Sequence, residues 1–289
     1  MTAATQNDLA KQALERSLEV REEYGYDFRS PLCIYELADR AGIKVQFVDD
    51  ISMEGIYAAL AKPTILISSL RPLARRAFTC AHELGHHFFG HGTTIDKLKD
   101  DADKGHFSPN EFLVDAFAGF LLMPAQAIKR AFASRSLDPS SATPEEIYTI
   151  ASSFGVGYET IIGHLAHSLR YIAPARADVL RKSKLPKIRE RILGFPANDH
   201  LVIADHHHVI GTLDAEVGAL ILLPSDAATD SDHIEPYTDV AAGRVFRALR
   251  PGLARTSVPG ADWGVVVRVS RFQYAGLARY RHLEETDGE

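Results

Sequence analysis

The chain is predicted to adopt an α+β fold, and three observations on its 289 residues predict it. The first half alternates amphipathic helical stretches with a short strand-like hairpin. One of those helices carries the sequence His82-Glu83-Leu84-Gly85-His86. From Pro174 onward the grammar changes, and short segments rich in Val, Ile and Leu dominate.

Leu9, Ala13, Leu14, Ser17 and Leu18 share a face and predict a first helix ending near Gly25. Ser30 before Pro31 predicts the cap of a second, with Ile34, Leu37, Ala38 and Ala41 inward and Gly42 as its stop. Residues 43–48 alternate as a strand, and 55–60 with 64–68 form a hairpin around Lys62-Pro63, whose edge could pair with an extended peptide. Residues 71–81 predict a helix with Pro72 in its first turn, Leu73, Ala77, Ala81 and Leu84 inward, and Arg75 and Arg76 outward. Residues 93–108 predict a loop, and 110–123 a helix stopped by Pro124.

Thr143-Pro144-Glu145-Glu146 is a capping box opening a helix to Ser153; a turn and a helix over 158–170 complete a helix-turn-helix outline. That second helix has no Arg or Lys before Arg170, so it lacks phosphate contacts for DNA. Farther on, residues 200–204, 209–213, 217–223 and 263–270 predict strands, and 237–249 a helix with Val240, Val245, Phe246 and Leu249 inward. Asp205-His206-His207-His208 predicts a solvated hairpin turn.

The chemistry concentrates on the His82–His86 helix. Histidines four apart lie on one helix face and can reach one zinc ion, and Glu83 enters the same cleft, where it can take a proton from the metal's water. Zinc needs a third protein ligand, and two candidates compete. His91 follows Gly90 five residues after His86, but the spacing of the metzincin pattern is absent. Glu111 opens the next helix with Asp115 four residues on, so Glu111 can bind the ion while Asp115 accepts the spare ring N–H of a ligand histidine. The apolar neighbours Phe112, Leu113, Val114 and Phe117 argue that Asp115 needs such a partner. Tyr57, His87 and His91 are candidates for an oxyanion donor, and Cys80, two residues before His82, points away toward the core.

Residues 78–86 (FTCAHELGH), followed by Glu111, Asp115, Phe117-Ala118 and Leu121-Leu122-Met123-Pro124, resemble the ImmA/IrrE family of zinc metallopeptidases over roughly the first 170 residues. The resemblance implies zinc ligands at His82, His86 and Glu111 and a catalytic Glu83, with Asp115 where many members have Asn, a change toward a gluzincin-like E-x-x-x-D arrangement. It implies an intracellular protease that cleaves a partner helix-turn-helix repressor after DNA damage or another stress. One branch, CapP, acts in anti-phage operons and responds to DNA. The expected organisation is a zinc metallopeptidase domain over 1–140, a helix-turn-helix-like helical segment over 141–172, a basic linker over 173–192 and, by family analogy, a GAF-like α/β sensor domain over 193–289.

Composition bounds the setting. Hydrophobic content of 46% and charged content of 24% are those of a globular chain, the net charge is −6, and the longest apolar stretch, 217–223, is far too short to cross a bilayer. The opening residues carry no signal-peptide pattern, and two cysteines, Cys33 and Cys80, suit a reducing cytoplasm. Residues 176–191 hold seven basic residues against two acidic ones. Arg181, Lys182, Lys184, Lys187, Arg189 and Arg191 are therefore a candidate surface for single-stranded DNA, with a small-molecule signal at the C-terminal domain as the rival. A reading from another class is a DNA-binding regulator or antitoxin-like protein with a structural zinc; a structural ion has no need of Glu83.

Overall fold

A computed structural model of the chain describes residues 3–97, 108–209 and 211–283, which divide into two compact units. The first unit is Met1–Arg130 with Ala275–Arg279, and the second is Ala131–Tyr274 with Tyr280–Glu289. The expected 93–108 loop lies for the most part outside the described residues.

The first unit is built on helices α1 (Ala3–Glu23), α2 (Ile34–Arg40), α3 (Leu73–Phe88) and α4 (Pro109–Leu122), and strands β1 (Lys44–Val48), β2 (Met53–Ala58), β3 (Thr64–Ser68) and β4 (Thr94–Lys97). Helix α5 (Ala125–Ser134) follows at its end. Strand β4 falls where a loop was expected; its pairing with β2, not its own short pattern, makes it a strand. With β13 (Gly276–Leu277) the sheet runs β13-β1-β3-β2-β4, with β1 parallel to β3, and β2 antiparallel to both β3 and β4. Val45, Phe47, Ile65, Ile67, Met53 and Tyr57 are buried, as the alternation required, and α3 lies against β2 and β3.

Two buried arginines correct or extend the sequence reading. Arg76, expected outside, is 1% exposed with its guanidinium 5.3 Å from the centre of the Phe47 ring, so the buried stripe of α3 begins one residue from where spacing placed it. Arg21 of α1 is equally buried and donates from Nε to the Leu121 carbonyl (2.9 Å) and from Nη1 to those of Asp27 and Ser30. Burial lowers its pKa to about 10, so it stays charged at neutral pH. It thereby satisfies a carbonyl at the C-terminal end of α4, where helix carbonyls lack intrahelical partners, and ties α1 to the helix that bears Glu111. Helix α2 starts at Ile34, later than the Ser30-Pro31 signal, and stops at Gly42 (φ +73°) as expected.

The second unit opens with α6 (Pro144–Ser153), α7 (Tyr158–Gly163) continued by a π-helical turn His164–Ser168, α8 (Pro174–Arg181) and α9 (Leu185–Leu193). The capping box at Thr143 is complete: Glu146 N–H donates to its hydroxyl and Thr143 N–H to the Glu146 carboxylate. Residues 173–192, expected as a linker, are two helices, and several of their bases are engaged. Arg181 meets Glu159 and Asp178, Lys187 meets Glu190, Arg191 meets Glu145, and Arg189 donates to the carbonyls of Asn198 and Asp199. Lys182 and Lys184 stand exposed.

The remaining strands are β5 (Leu201–Ile203), β6 (Thr212–Glu216), β7 (Leu220–Leu223), β8 (Ala228–Thr229), β9 (Ile234–Val240), β10 (Gly243–Ala248), β11 (Gly252–Ser257) and β12 (Gly264–Ser270). They form two four-stranded sheets, β5-β7-β10-β9 and β6-β12-β11-β8. Ile221, Phe246, Ala254, Val267 and Val269 are among the residues of their shared core. The helix expected over 237–249 is instead the β9–β10 hairpin. Thr238, Val240 and Val245 are β-branched, and Gly243 (φ +147°) approaches Leu223 so closely that a Cβ would lie 2.1 Å from its carbonyl oxygen. The described residues of 201–270 therefore contain no α-helix, which leaves the α/β, GAF-like expectation without support. The 205–208 turn is only partly solvated: Asp205 pairs with Arg135 and accepts from the Trp263 indole, and His208 is 9% exposed, its pKa pushed down to about 4 by burial. Among the described residues no single helix is long and apolar enough to cross a membrane.

Candidate metal centre

Helix α3 supplies three of the polar side chains here, and each points where its register dictates. His82 and His86 are 6% and 1% exposed, four residues apart, with Nε2 atoms 3.2 Å from each other. Both face α4. Ser108 caps α4 by accepting from Glu111 N–H (3.4 Å), with Pro109 in the first turn, so the Glu111 carboxylate lies at the positive end of the helix dipole. Its oxygens reach 3.5 Å from His82 Nε2 and 3.6 Å from His86 Nε2.

The close packing of the two helices depends on Gly85. A Cβ there would lie 2.9 Å from Val114 Cβ and 3.2 Å from the Phe117 ring, and neither can swing aside as the tip of a flexible side chain can. Gly55 plays the corresponding part on the strand side, where a Cβ would lie 2.4 Å from Glu83 Oε1. Glu83 itself is wholly buried, with Thr94 of β4 donating to Oε2 at 3.4 Å. An isolated glycine inside a strand pattern is the sequence signal for the approach at Gly55; nothing local to the motif signals the one at Gly85.

The outer nitrogens of the two imidazoles are also engaged. His82 Nδ1 is 2.8 Å from Asp115 Oδ1, and His86 Nδ1 is 2.9 Å from His91 Nδ1. The Asp115 side chain keeps 55% exposure, so its apolar sequence neighbours lie on other faces of α4 and its contact with His82 does not arise from burial. Tyr57, 5% exposed, hydrogen-bonds His87 Nδ1 at 2.8 Å, a contact that fastens the end of α3 to β2. Burial shifts the Tyr57 hydroxyl up and the His87 and His91 rings down in pKa. Cys80 is fully buried, as expected for its side of the helix.

The donor set fits a small divalent cation. Among the described residues His82, His86 and Glu111 are the group of His, Cys, Asp or Glu placed to hold one, with their ligand atoms all within 4.8 Å of one another. Bond lengths of about 2.0–2.2 Å at a tetrahedral ion place ligand atoms about 3.3–3.6 Å apart; the two Nε2 atoms are 3.2 Å apart, and Glu111 approaches His82 with Oε2 (3.5 Å) and His86 with Oε1 (3.6 Å). With ring protons on Nδ1, both Nε2 lone pairs and a carboxylate converge on one point, which a cation relieves. The Glu111 side chain is 29% exposed, whereas both imidazoles are buried.

Comparison with known proteins adds an independent line. Residues 38–165 match the model of the Peptidase M78 family, described as an IrrE N-terminal-like domain, a metallopeptidase-type family. No curated protein matches the chain. Among solved structures a Mycobacterium tuberculosis transcriptional regulator is similar at 20% identity and a TM-score of 0.35, over 55% of this chain; the match spans 46% of that regulator's own length.

Proposed function

Residues 38–165 make this chain a member of the ImmA/IrrE family, and from that premise we propose that it is a zinc-dependent endopeptidase of the cytoplasm that cleaves a partner helix-turn-helix repressor. The observation that carries the proposal is the convergence of His82, His86 and Glu111, with ligand atoms within 4.8 Å of one another, beside the buried Glu83 that shares a helix with the two histidines. Zinc held by these three would polarise the scissile carbonyl and lower the pKa of a coordinated water to about 7.

The protein's own groups do the rest. Glu83 accepts a proton from the attacking water and returns it to the leaving amine. The Thr94 hydroxyl and the close approach of Gly55 hold that carboxylate in place. Asp115 accepts the Nδ1 proton of His82 and so leaves Nε2 unprotonated on the metal side. Strand β4 ends the sheet next to Glu83, and an extended segment of the substrate would add along it by backbone hydrogen bonds.

Co-incubating the full chain and zinc with a small helix-turn-helix protein encoded by a neighbouring gene tests the reading. Cleavage at one or a few bonds, abolished by a chelator, is expected. An intact repressor in the presence of protein carrying one equivalent of zinc, both with and without single-stranded DNA, would overturn it.

The inducing signal is read by the second unit, and one feature there favours single-stranded nucleic acid over a small molecule. Tyr237 is 49% exposed and stacks 4.6 Å from the Arg247 guanidinium, with Phe195 6.4 Å away, in the same unit as exposed Lys182 and Lys184. Aromatic faces beside cations suit unpaired bases. A labelled oligonucleotide should bind with strong salt dependence, and no polarisation change at low salt would rule this out.

A further inference from the structure

We infer that His91 is a positioning residue for His86, accepting its ring proton and thereby presenting the Nε2 lone pair to the metal. The inference rests on the metal-site reading above and deepens it. Its origin is the way α3 ends. Gly90 takes the left-handed conformation (φ +68°), its N–H donating to the His87 carbonyl (3.1 Å), while the next N–H, that of His91, donates to the His86 carbonyl (3.0 Å). This paired closure folds the chain back so that the second residue past the cap lies against the residue three from the helix end. Those two residues are His91 and His86. Their rings meet edge to face at 5.1 Å between centroids, with the two Nδ1 atoms 2.9 Å apart.

Only one proton fits between two nitrogens at that distance. His86 Nε2 faces His82 and Glu111, so a ligand His86 keeps its proton on Nδ1 and donates it. His91 Nδ1 is then the acceptor, and the His91 proton sits on its Nε2. Phe89 stacks on the His91 ring at 5.9 Å and 21°, which holds the acceptor in line. His91 thus does for His86 what Asp115 does for His82, from the other end of the pair. The same contact places His91 on the side of the His86 ring away from the ligand atoms, outside the group that can hold the ion.

Zinc affinity of the full chain, measured by competition with a chromophoric chelator, tests this together with the melting temperature of the metal-free protein. His91→Phe keeps a ring but no acceptor and should weaken zinc binding about 10–100-fold. His91→Asn puts Oδ1 where Nδ1 stands and should recover affinity to within about fivefold of the wild type, a rescue that packing alone does not explain. The metal-free melting temperatures of the two variants should agree. Equal zinc affinity in His91→Phe and wild type would overturn the inference while leaving the metal site intact, as would equal weakening in Phe and Asn. A wild type that binds no zinc would overturn both this inference and the reading beneath it. If either variant folds poorly, nitrogen-15 shifts of the wild-type imidazoles decide: protonated Nδ1 on His86 with unprotonated Nδ1 on His91 is expected, and the reverse contradicts it.

Discussion

Replacing Glu83 by glutamine is expected to slow cleavage of the protein substrate by about 100- to 10,000-fold, the range that general acid–base groups contribute, while metal content stays at the wild-type level. Glutamine has nearly the volume of glutamate, so the contacts with Thr94 and the approach of Gly55 survive, but it cannot take up the proton of the attacking water. The metal donors lie on His82, His86 and Glu111, none of which the substitution alters. The measurement is the rate of repressor cleavage set against zinc content by elemental analysis. Residual activity within tenfold of wild type would remove Glu83 as the base. Absence of cleavage by the zinc-loaded wild type would instead favour the rival in which a structural ion merely braces a DNA-binding or interaction protein.

Glu111→Ala should act on the other half of the site. It removes the one ligand that α4 contributes and leaves two imidazoles 3.2 Å apart on α3. Zinc affinity should fall by more than the roughly 10–100-fold that loss of an outer partner such as Asp115 costs. The fold should survive, because α4 is anchored by the buried Leu113, Val114, Phe117 and Leu121 and by the Arg21 bond to the Leu121 carbonyl, none of which uses the carboxylate. Unchanged affinity in a folded Glu111→Ala protein would return His91 to candidacy as the third ligand.

What the sequence disclosed follows from how local each determinant is. The His-Glu-x-x-His register, the capping box at Thr143 and the αL stop at Gly42 are written within one or two helical turns, and the structure has each of them. The pairing of α3 with α4 was legible only because Glu111 and Asp115 share a helix face. Determinants that act across the chain stayed hidden. Nothing near Arg21 or Arg76 marks them as buried; their partners, Leu121 and Phe47, are about 100 and 29 positions away. Strand β4 exists because β2 offers it an edge. The β9–β10 hairpin reads as helix in the sequence because Val240, Val245, Phe246 and Leu249 nearly satisfy helical spacing as well, and the conflict is settled by Gly243 and its contact with Leu223. By sequence His91 is a candidate ligand or a polar residue at a helix end, and its contact with His86 follows only from the geometry of the turn at Gly90.

The central claim is that one ion is held by two imidazoles and one carboxylate, and zinc-edge X-ray absorption of the full-length protein tests it most directly. The account predicts only nitrogen and oxygen neighbours at about 2.0–2.2 Å, with the multiple-scattering pattern of two imidazoles. A sulfur neighbour at about 2.3 Å, placing Cys33 or Cys80 on the ion, or a spectrum with fewer than two imidazoles, would contradict it.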